Sequence, residues 1–468
     1  MGDGKHHFLD AFFYPESVAV VGVSRNPSRF NFNLVSNLVN LKFQGKIYPV
    51  NPNVKEIMGL KAYPDLKSIE GNIDLVVTAV PANKTLDIIK DCVAKRVKGV
   101  VIVSGGFSET GGEGKKTQDE IFSLLRENGI RAMGPNVLSP INTRNNLVID
   151  FVPFKKLSKG QLSFIFQSGL YDNRLDWLLS DFHLYLSKVI DLGNKMDINE
   201  VDALEYLSQD QETKVIAMHL ESIAGDARAF MQILKETSKK KPVIVLKSGR
   251  TAAGVKAASS HTGAMIKSSD IIFDAVLKQS GAIRAQGLDE FFDLAKIFEC
   301  FLPLKKNRVV VATFPGGEGV IAADFCQLNG LILSQLTSRT QSKLRPIFPP
   351  WNIIVNPFDI GVCSEFHDLA DVYRVFLTAL ADDPNVDCLA MQACGPFPID
   401  SDHLVKLLSG VIKRGKPVAT WVPNMSTVST EVIQQLGANR IPVYSSAERA
   451  VKALSALYRY SVMQQAIK

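Results

Sequence analysis

The sequence predicts an α/β protein built from three successive parallel-sheet domains. Three observations carry that expectation. Short apolar runs alternate with stretches of helical spacing along almost the whole chain, the pattern of β–α repeats that cover a sheet on both faces. The runs end in clusters of glycine, proline, asparagine and serine, the residues of turns. The alternation also restarts twice, after a proline- and lysine-containing connector at 150–159 and after a polar link at 303–307. The expected domains are 1–145, which is Rossmann-like, and 146–302 and 303–468, both flavodoxin-like.

The totals narrow the function class. The 468 residues are 46% hydrophobic and 21% charged, ordinary values for a globular protein, and a net charge of +6 is small for this length. No basic block argues for nucleic acid. The six cysteines are scattered without a CxxC pair, which points to a reducing compartment and no disulfide framework. Residues 1–10 are polar and lack the apolar run of a signal peptide. No uninterrupted apolar stretch of about 18 residues occurs, so no membrane span is expected. A cytoplasmic location follows as the expectation.

In the first third, strands are expected at 17–23, 46–50, 74–80, 99–104 and 130–134, and helices at 33–41, from Pro81-Ala82 to Val97, and at 113–128. Proline suits a first helical turn. Ligands of such a sheet lie beyond the carboxyl ends of its strands. Those ends hold Gly22, Ser24 and Arg25, then Asn51 and Pro52, Val80 and Pro81, Gly106 and Phe107, and Gly134 and Asn136. A nicotinamide site is disfavoured, because the first turn lacks G-x-G-x-x-G and the second strand ends at Asn51 rather than at an acid.

The runs FYPESVAVVG at 13–22, GKIYPVNP at 45–52, GLKAYP at 59–64, AVPA at 79–82 and GPN at 134–136 give the region a specific likeness. It resembles the CoA-binding domain of the succinyl-CoA synthetase-like superfamily, and most of all the α subunit of NDP-forming (ADP-forming) acyl-CoA synthetases. The resemblance implies that the strand-end residues above, Gly22, Ser24, Arg25, Asn51, Pro52, Val80, Pro81, Gly106, Phe107, Gly134 and Asn136, bind CoA. Backbone N–H groups at a helix start, with Arg25, suit its phosphates. One departure is Asn53, where the family often has lysine.

The middle third reads as strands at 162–166, 187–192, 215–220 and 242–247, with helices to about 179, within 197–207, and at 226–238, 268–279 and 287–298. Gln167-Ser168-Gly169 before a helix is a sensible anion site, since a first helical turn leaves N–H groups unpaired. After the last strand comes a long stretch of small, polar residues, 248–264, read as a flexible loop with His261 inside it. Taken alone, a loop histidine is more often a surface residue than a nucleophile. The run SSHTGA at 259–264, however, resembles the family's phosphohistidine loop. The resemblance makes His261 the covalent catalyst and Glu221 its carboxylate partner, and places the phosphoryl group at Ser168 and Gly169. A carboxylate on one imidazole nitrogen leaves the other as the nucleophile. The residues that follow, Leu170-Tyr171-Asp172-Asn173, depart from the family's small ones. An aspartate there would repel a phosphate.

The last third predicts strands at 308–313, 331–336, 388–392, 418–422 and 443–444. The turn FPGGEG at 314–319 and the segment from PPW at 349–351 to NPFD at 356–359 also resemble the family, which implies a second phosphate-binding helix start at Gly316 and Gly317. Glu318 stands where proline is often found.

No GxxxxGK[ST] loop and no ATP-grasp region is found. No His/Cys/Asp cluster has metal-ligand spacing, so no tightly bound metal is expected. The reading is an acid–thiol ligase subunit that interconverts acyl-CoA, ADP and phosphate with a carboxylic acid, CoA and ATP through an acyl phosphate and a phosphohistidine. The implied partner is an ATP-grasp β subunit in an α2β2 heterotetramer, bringing ATP or ADP and Mg2+. The other partner is a small-molecule acyl substrate. The alternative is a non-catalytic CoA- or acyl-CoA-binding regulator.

Overall fold

The computed structural model describes residues 7–171, 174–262, 270–352, 354–393, 400–423 and 427–466, with only the backbone course at 258–262 and 427–428. The chain divides into two compact units, Met1–Gln286 and Gly287–Lys468.

The first unit opens with β1 (Ser17–Val21), β2 (Lys46–Val50), a small antiparallel pair β3 (Glu56–Ile57) and β4 (Leu60–Lys61), then β5 (Leu75–Thr78), β6 (Gly99–Ile102) and β7 (Arg131–Met133). Five of these form a parallel sheet in the order β2-β1-β5-β6-β7. Period-two alternation sends neighbouring residues of β1 to opposite faces. Val18 and Val20 pack in one core with Leu34, Val35 and Leu38 of the helix Asn33–Asn40. Ala19 and Val21 pack in the other with Ile89 of the helix Ala82–Lys95 and with Ile121 and Leu125 of the helix Gly112–Glu127. The all-buried valine strands are therefore the consequence of helices on both faces.

The second sheet contains β8 (Ile141–Asn142), β9 (Leu147–Val148), β10 (Lys159–Phe166), β11 (Leu186–Asp191), β12 (Val215–Leu220), β13 (Val243–Lys247) and β14 (Ile283–Ala285), in the order β14-β13-β12-β10-β11-β8-β9. Strands β10 to β14 run parallel, and β8 and β9 add an antiparallel edge. The edge pair lies just before the predicted connector. Two-residue strands leave no periodic run, so nothing in the sequence announced them.

The two sheets of this unit are tied together. Asp197 accepts from Arg131 Nε at 2.7 Å and from the Ala132 N–H at 2.9 Å. Asn142 Nδ2 donates to the Phe13 carbonyl at 2.8 Å. Gly193, after β11, has φ +50°, and a Cβ there would lie 2.3 Å from the Pro135 carbonyl oxygen. Only glycine lets the two strand ends approach so closely.

The second unit begins with the helix Leu288–Cys300, which the sequence pattern groups with the preceding domain. Its strands are β15 (Arg308–Thr313), β16 (Ile332–Leu333), β17 (Phe358–Asp359), β18 (Cys388–Gln392), β19 (Val418–Trp421) and β20 (Val443–Tyr444). The order is β16-β15-β18-β19-β20, with β17 also paired to β15, and all the pairings are parallel. Arg449, on the long helix Ala447–Ala466, holds Asp293 of the first helix through Nε at 2.6 Å and Nη2 at 2.8 Å.

Each sheet reverses its strand order beside one strand. β1 is flanked by β2 and β5, β10 by β11 and β12, and β15 by β16 and β18. The crevice outside the carboxyl end at such a reversal is where open α/β sheets hold ligands. The residues after those three strands are Gly22, Gln167 and Phe314. Among the described residues, no helix is long and apolar enough to cross a membrane, and no cluster of three His, Cys, Asp or Glu could hold a metal ion.

Candidate active site

The first reversal point gathers the strand-end residues singled out above. Gly22 adopts φ +84°, and a Cβ there would lie 2.8 Å from Val80 and 2.9 Å from the Ala79 carbonyl oxygen. Its own carbonyl accepts from Asn31 Nδ2 at 2.6 Å. Asn51 spans the crevice by donating to the Val23 carbonyl at 2.8 Å and accepting from the Asn53 N–H at 2.8 Å. Ser24 accepts from the Asn26 N–H, while Arg25, Pro52 and Pro81 are exposed. Gly106 has φ +101° and gives its N–H to Glu109 Oε1 at 2.6 Å. Asn136, with φ 64°, follows Gly134 across a buried proline and is exposed. Phe107 departs from expectation. Its ring is fully buried in the core with Ile102 and Ile121, so only its backbone is left to meet a ligand.

Glu109 links this edge to the second sheet, since its Oε2 accepts from Asn194 Nδ2 at 2.5 Å. Burial pushes its carboxyl up, but hydrogen bonds from the Gly106 backbone, other N–H groups and Asn194 more than reverse that, leaving its pKa below the usual value. The next residue, Lys195, is 8% exposed. Its ammonium donates to Glu200 at 2.8 Å and to the Ser222 carbonyl at 2.6 Å. Glu200, with no exposure, accepts in turn from the N–H groups of Ala224 at 2.7 Å and Gly225 at 3.4 Å. Gln167, just after β10, accepts from the N–H groups of Glu221 at 2.8 Å and Ser222 at 3.1 Å, and donates to Ser222 Oγ at 3.0 Å.

The turn after β12 is thus held from three sides, and Glu221 stands at its first position, 7% exposed. Lys247, at the end of β13, adds a fourth buried contact through its ammonium, 2.8 Å from the Glu221 carbonyl and 2.5 Å from that of Ser248. Burial pulls both lysines below their usual pKa. Attraction opposes it, from Glu200 and then Glu221 at Lys195, and from Asp270 and then Glu221 at Lys247. The Glu221 carboxylate therefore lies within electrostatic reach of two buried ammonium groups.

Ser168 and Gly169 follow Gln167 at the same crevice, the first half-buried and the second exposed. The expected helix start is not there. Gly169–Tyr171 is one 3-10 turn, and the α-helix begins only at Leu175 and ends at Ser180. Tyr171 explains part of this, because its ring is fully buried, stacked 3.5 Å from Phe166. A side chain drawn into the core at this point tightens the chain locally. Asp172 and Asn173 lie outside the described residues.

The stretch after β13 differs from the predicted flexible loop. Ala252–Thr262 is an α-helix, and it carries His261. Thr251 caps it, with Oγ1 accepting the Gly254 N–H at 3.1 Å and its carbonyl the Val255 N–H at 2.8 Å. Ala252, Ala253, Ala257 and Ala258 outweigh one glycine in helix propensity. The predicted helix at 268–279 is Asp270–Ser280, and 263–269 lie outside the described residues.

In the second unit, the helix Gly316–Leu328 does begin at the predicted turn, with Pro315 as its extended N-cap. The Gly316 N–H is already taken, donating to Asp359 Oδ2 at 2.9 Å, while Asp359 Oδ1 accepts the Gly361 N–H at 2.9 Å. Glu318 is turned to protein, accepting from the indole Nε1 of buried Trp421 at 2.7 Å. Gly317 is exposed.

Sequence reasoning passed over Glu109, Lys195, Glu200, Lys247 and Asp359 as functional groups. For Lys247 a signal existed, a charge closing an otherwise apolar strand, VIVLK. Each of the others has at least one partner far away in the chain: Asn194 for Glu109, Ser222 for Lys195, Ala224 for Glu200 and Gly316 for Asp359.

Comparison with known proteins identifies the family. Residues 16–140 match the CoA binding domain family, and residues 159–298 match the succinyl-CoA ligase like flavodoxin domain. The two matches define a subunit of the succinyl-CoA ligase-like class with a CoA-binding domain. The acetate–CoA ligase (ADP-forming) II subunit alpha of Pyrococcus furiosus is 36% identical over 465 residues, covering 98% of both chains. A single-chain acetate–CoA ligase (ADP-forming) II of Archaeoglobus fulgidus is 35% identical over 97% of this chain and 67% of its own length. A dinucleotide-forming acetyl-coenzyme A synthetase of Ca. Korarchaeum cryptofilum, solved in complex with phosphate and ADP, superimposes with a TM-score of 0.89 at 32% identity, covering 98% of each chain. The chain belongs to the ADP-forming acyl-CoA (acetyl-CoA) synthetase family, as an alpha subunit. Relatives named as alpha subunits imply a separate partner subunit.

Proposed function

We propose that this chain carries the CoA and phosphohistidine half of an acyl-CoA synthetase, with His261 as the covalent catalyst and Glu221 as its orienting carboxylate. The observation that carries this is the turn after β12. Glu221 is buried there between Lys195 and Lys247, and the adjacent strand end leads within four residues to the helix bearing His261.

Acyl-CoA occupies the first sheet's crevice, its phosphates on the backbone N–H groups and on Arg25 beyond β1. A phosphate oxygen attacks the thioester carbonyl. The C–S bond breaks, and CoA leaves as a thiolate that takes a proton. An imidazole nitrogen of His261 then attacks the phosphorus of the acyl phosphate, breaking the P–O bond to the departing carboxylate. Glu221 accepts the other ring N–H and steadies the cation formed on phosphorylation. The Ser168-Gly169 turn supplies anion donors to the phosphoryl group; in the second unit the Gly316 N–H is occupied by Asp359, which leaves Gly317 as the donor of that turn. A terminal oxygen of ADP attacks the phosphohistidine, and ATP and free histidine result. Nucleotide with Mg2+ is carried by an ATP-grasp β subunit in an α2β2 assembly in the cytoplasm.

The test is phosphorylation of the complex of this chain with its partner by ATP and Mg2+. An acid-labile label on His261, lost with activity in His261→Ala, is expected. Full activity in that variant would sink the mechanism.

A further inference from the structure

Every polar group of Ser248 is held. Its N–H donates to the Leu220 carbonyl at 3.0 Å, extending the β12–β13 ladder by one residue. Its carbonyl accepts from Lys247 Nζ at 2.5 Å, and its Oγ lies 2.5 Å from His219 Nε2. The next residue, Gly249, has φ +66°, and after it Thr251 starts the helix that carries His261. Ser248 is thus the last residue locked to the sheet before the chain turns through a left-handed glycine into that helix. Arg250 fastens the outer side of the turn, donating to the Gln286 carbonyl at 3.2 Å and to Gln286 Oε1 at 3.0 Å.

The locking groups are buried. His219 is 3% exposed and Lys247 3% exposed. His219 Nδ1 has no hydrogen-bond partner among the described residues. A buried orphaned N–H is rarer than an orphaned lone pair. The proton therefore sits on Nε2, and His219 donates to Ser248 Oγ. A histidine inside a parallel strand needs a reason, and its side chain's only hydrogen bond among the described residues goes to Ser248.

We propose that His219 and Lys247 are positioning residues for His261, forming with Ser248 a fixed anchor from which the histidine-bearing helix is aimed at Glu221. Lys247 serves both ends of this geometry, because the same ammonium holds the carbonyls of Glu221 and Ser248. A shift of either strand end would move nucleophile and carboxylate relative to each other. The proposal rests on the phosphohistidine reading above.

The experiment has two measurements on the full chain. The first is phosphorylation of His261 by acetyl [32P]phosphate, comparing wild type with His219→Leu, His219→Gln and Ser248→Ala. A misplacement of about 1 Å costs up to about a hundredfold in rate. Leu should slow the labelling at saturation on that scale, leaving the half-saturating acetyl phosphate concentration unchanged. Gln, whose amide can still donate to Ser248, should restore most of the rate. The second is hydrogen exchange of the amides at 249–262, expected to quicken in Leu and Ser248→Ala with the melting transition otherwise intact. Unchanged exchange, or Leu labelling at the wild-type rate, overturns the anchor. Absence of any label in the wild type overturns the phosphohistidine reading instead, and the exchange result still decides the anchor.

Discussion

Replacing Lys195 with methionine tests whether the buried network under Glu221 is what holds that turn. Lys195 and Glu200 side chains are 2% and 0% exposed, with Nζ 2.8 Å from the carboxylate. Removing one partner of a buried ion pair costs about 3–5 kcal/mol, because the other charge stays buried and uncompensated. Here the Glu200 carboxylate keeps two backbone donors, Ala224 and Gly225, while the Ser222 carbonyl loses its ammonium. The lower end, about 3 kcal/mol, is therefore expected. That is a change of about a hundredfold in the folded-to-unfolded ratio. Urea denaturation followed by far-UV circular dichroism reads it as a lower midpoint for the first unit at unchanged slope. The double variant Lys195→Met/Glu200→Leu removes both charges and should regain most of the loss, since well-packed apolar replacements of such pairs are often neutral. A single-variant cost below about 1 kcal/mol, or a double variant no better than the single, would refute the reasoning.

The other two predictions concern His219 and Asp359. Burial, and secondarily Lys247, hold His219 down to about 4 from 6.5. Between those values the unfolded chain binds a proton that the folded chain refuses, so stability is lost as pH falls from 6.5 towards 4, by about 3 kcal/mol at most. Asp191, pushed up to about 6 by burial, acts in the opposite sense over nearly the same range. The measurable quantity is therefore the difference between wild type and His219→Gln, whose urea midpoints should converge or cross as the pH is lowered. A constant difference from pH 7 to pH 4.5 would be the contrary result. In the second unit, Asp359→Ala removes the acceptor of both the Gly316 and Gly361 N–H groups. It should lower that unit's stability by about 1–2 kcal/mol in calorimetry, the usual cost of losing a cap, and an unshifted transition would show that water replaces the carboxylate at no cost.

Much of the architecture was legible because a two-sided parallel strand leaves a dense local signal. The run 46–50 is the strand Lys46–Val50 as read, and 388–392 is Cys388–Gln392. What escaped had either no length or no locality. The strands β8 and β9 are two residues each and exist only because β11 offers them an edge. The helix at Ala252–Thr262 was hidden by a different conflict: glycine and serine suggested mobility, while alanine content and the Thr251 cap favoured helix. At the site, Glu221 and His261 could be named from local motifs. Lys195, Glu200 and Asp359 could not, since each is given its role largely by a partner well removed in the chain, such as Ser222 for Lys195 and Gly316 for Asp359.

The reversal points sharpen what the three glycine-bearing turns have in common and where they part. All three lie beyond a strand flanked by its sequence successor on one side and a later strand on the other. The first leaves backbone polar groups and Arg25 at an open crevice, which suits a large phosphorylated ligand. The second packs its donors inward, with Gln167, Lys195 and Lys247 spent on holding a single carboxylate-bearing turn. The third already contains an anion, the Asp359 carboxylate on the Gly316 N–H. A dianion arriving at that helix start must share the first turn with Asp359 or displace it, whereas Glu318, spent on Trp421, is less of an obstacle than its position suggests. The residue that decides whether phosphate docks there is therefore not Glu318, the acid inside the glycine turn, but Asp359 on β17.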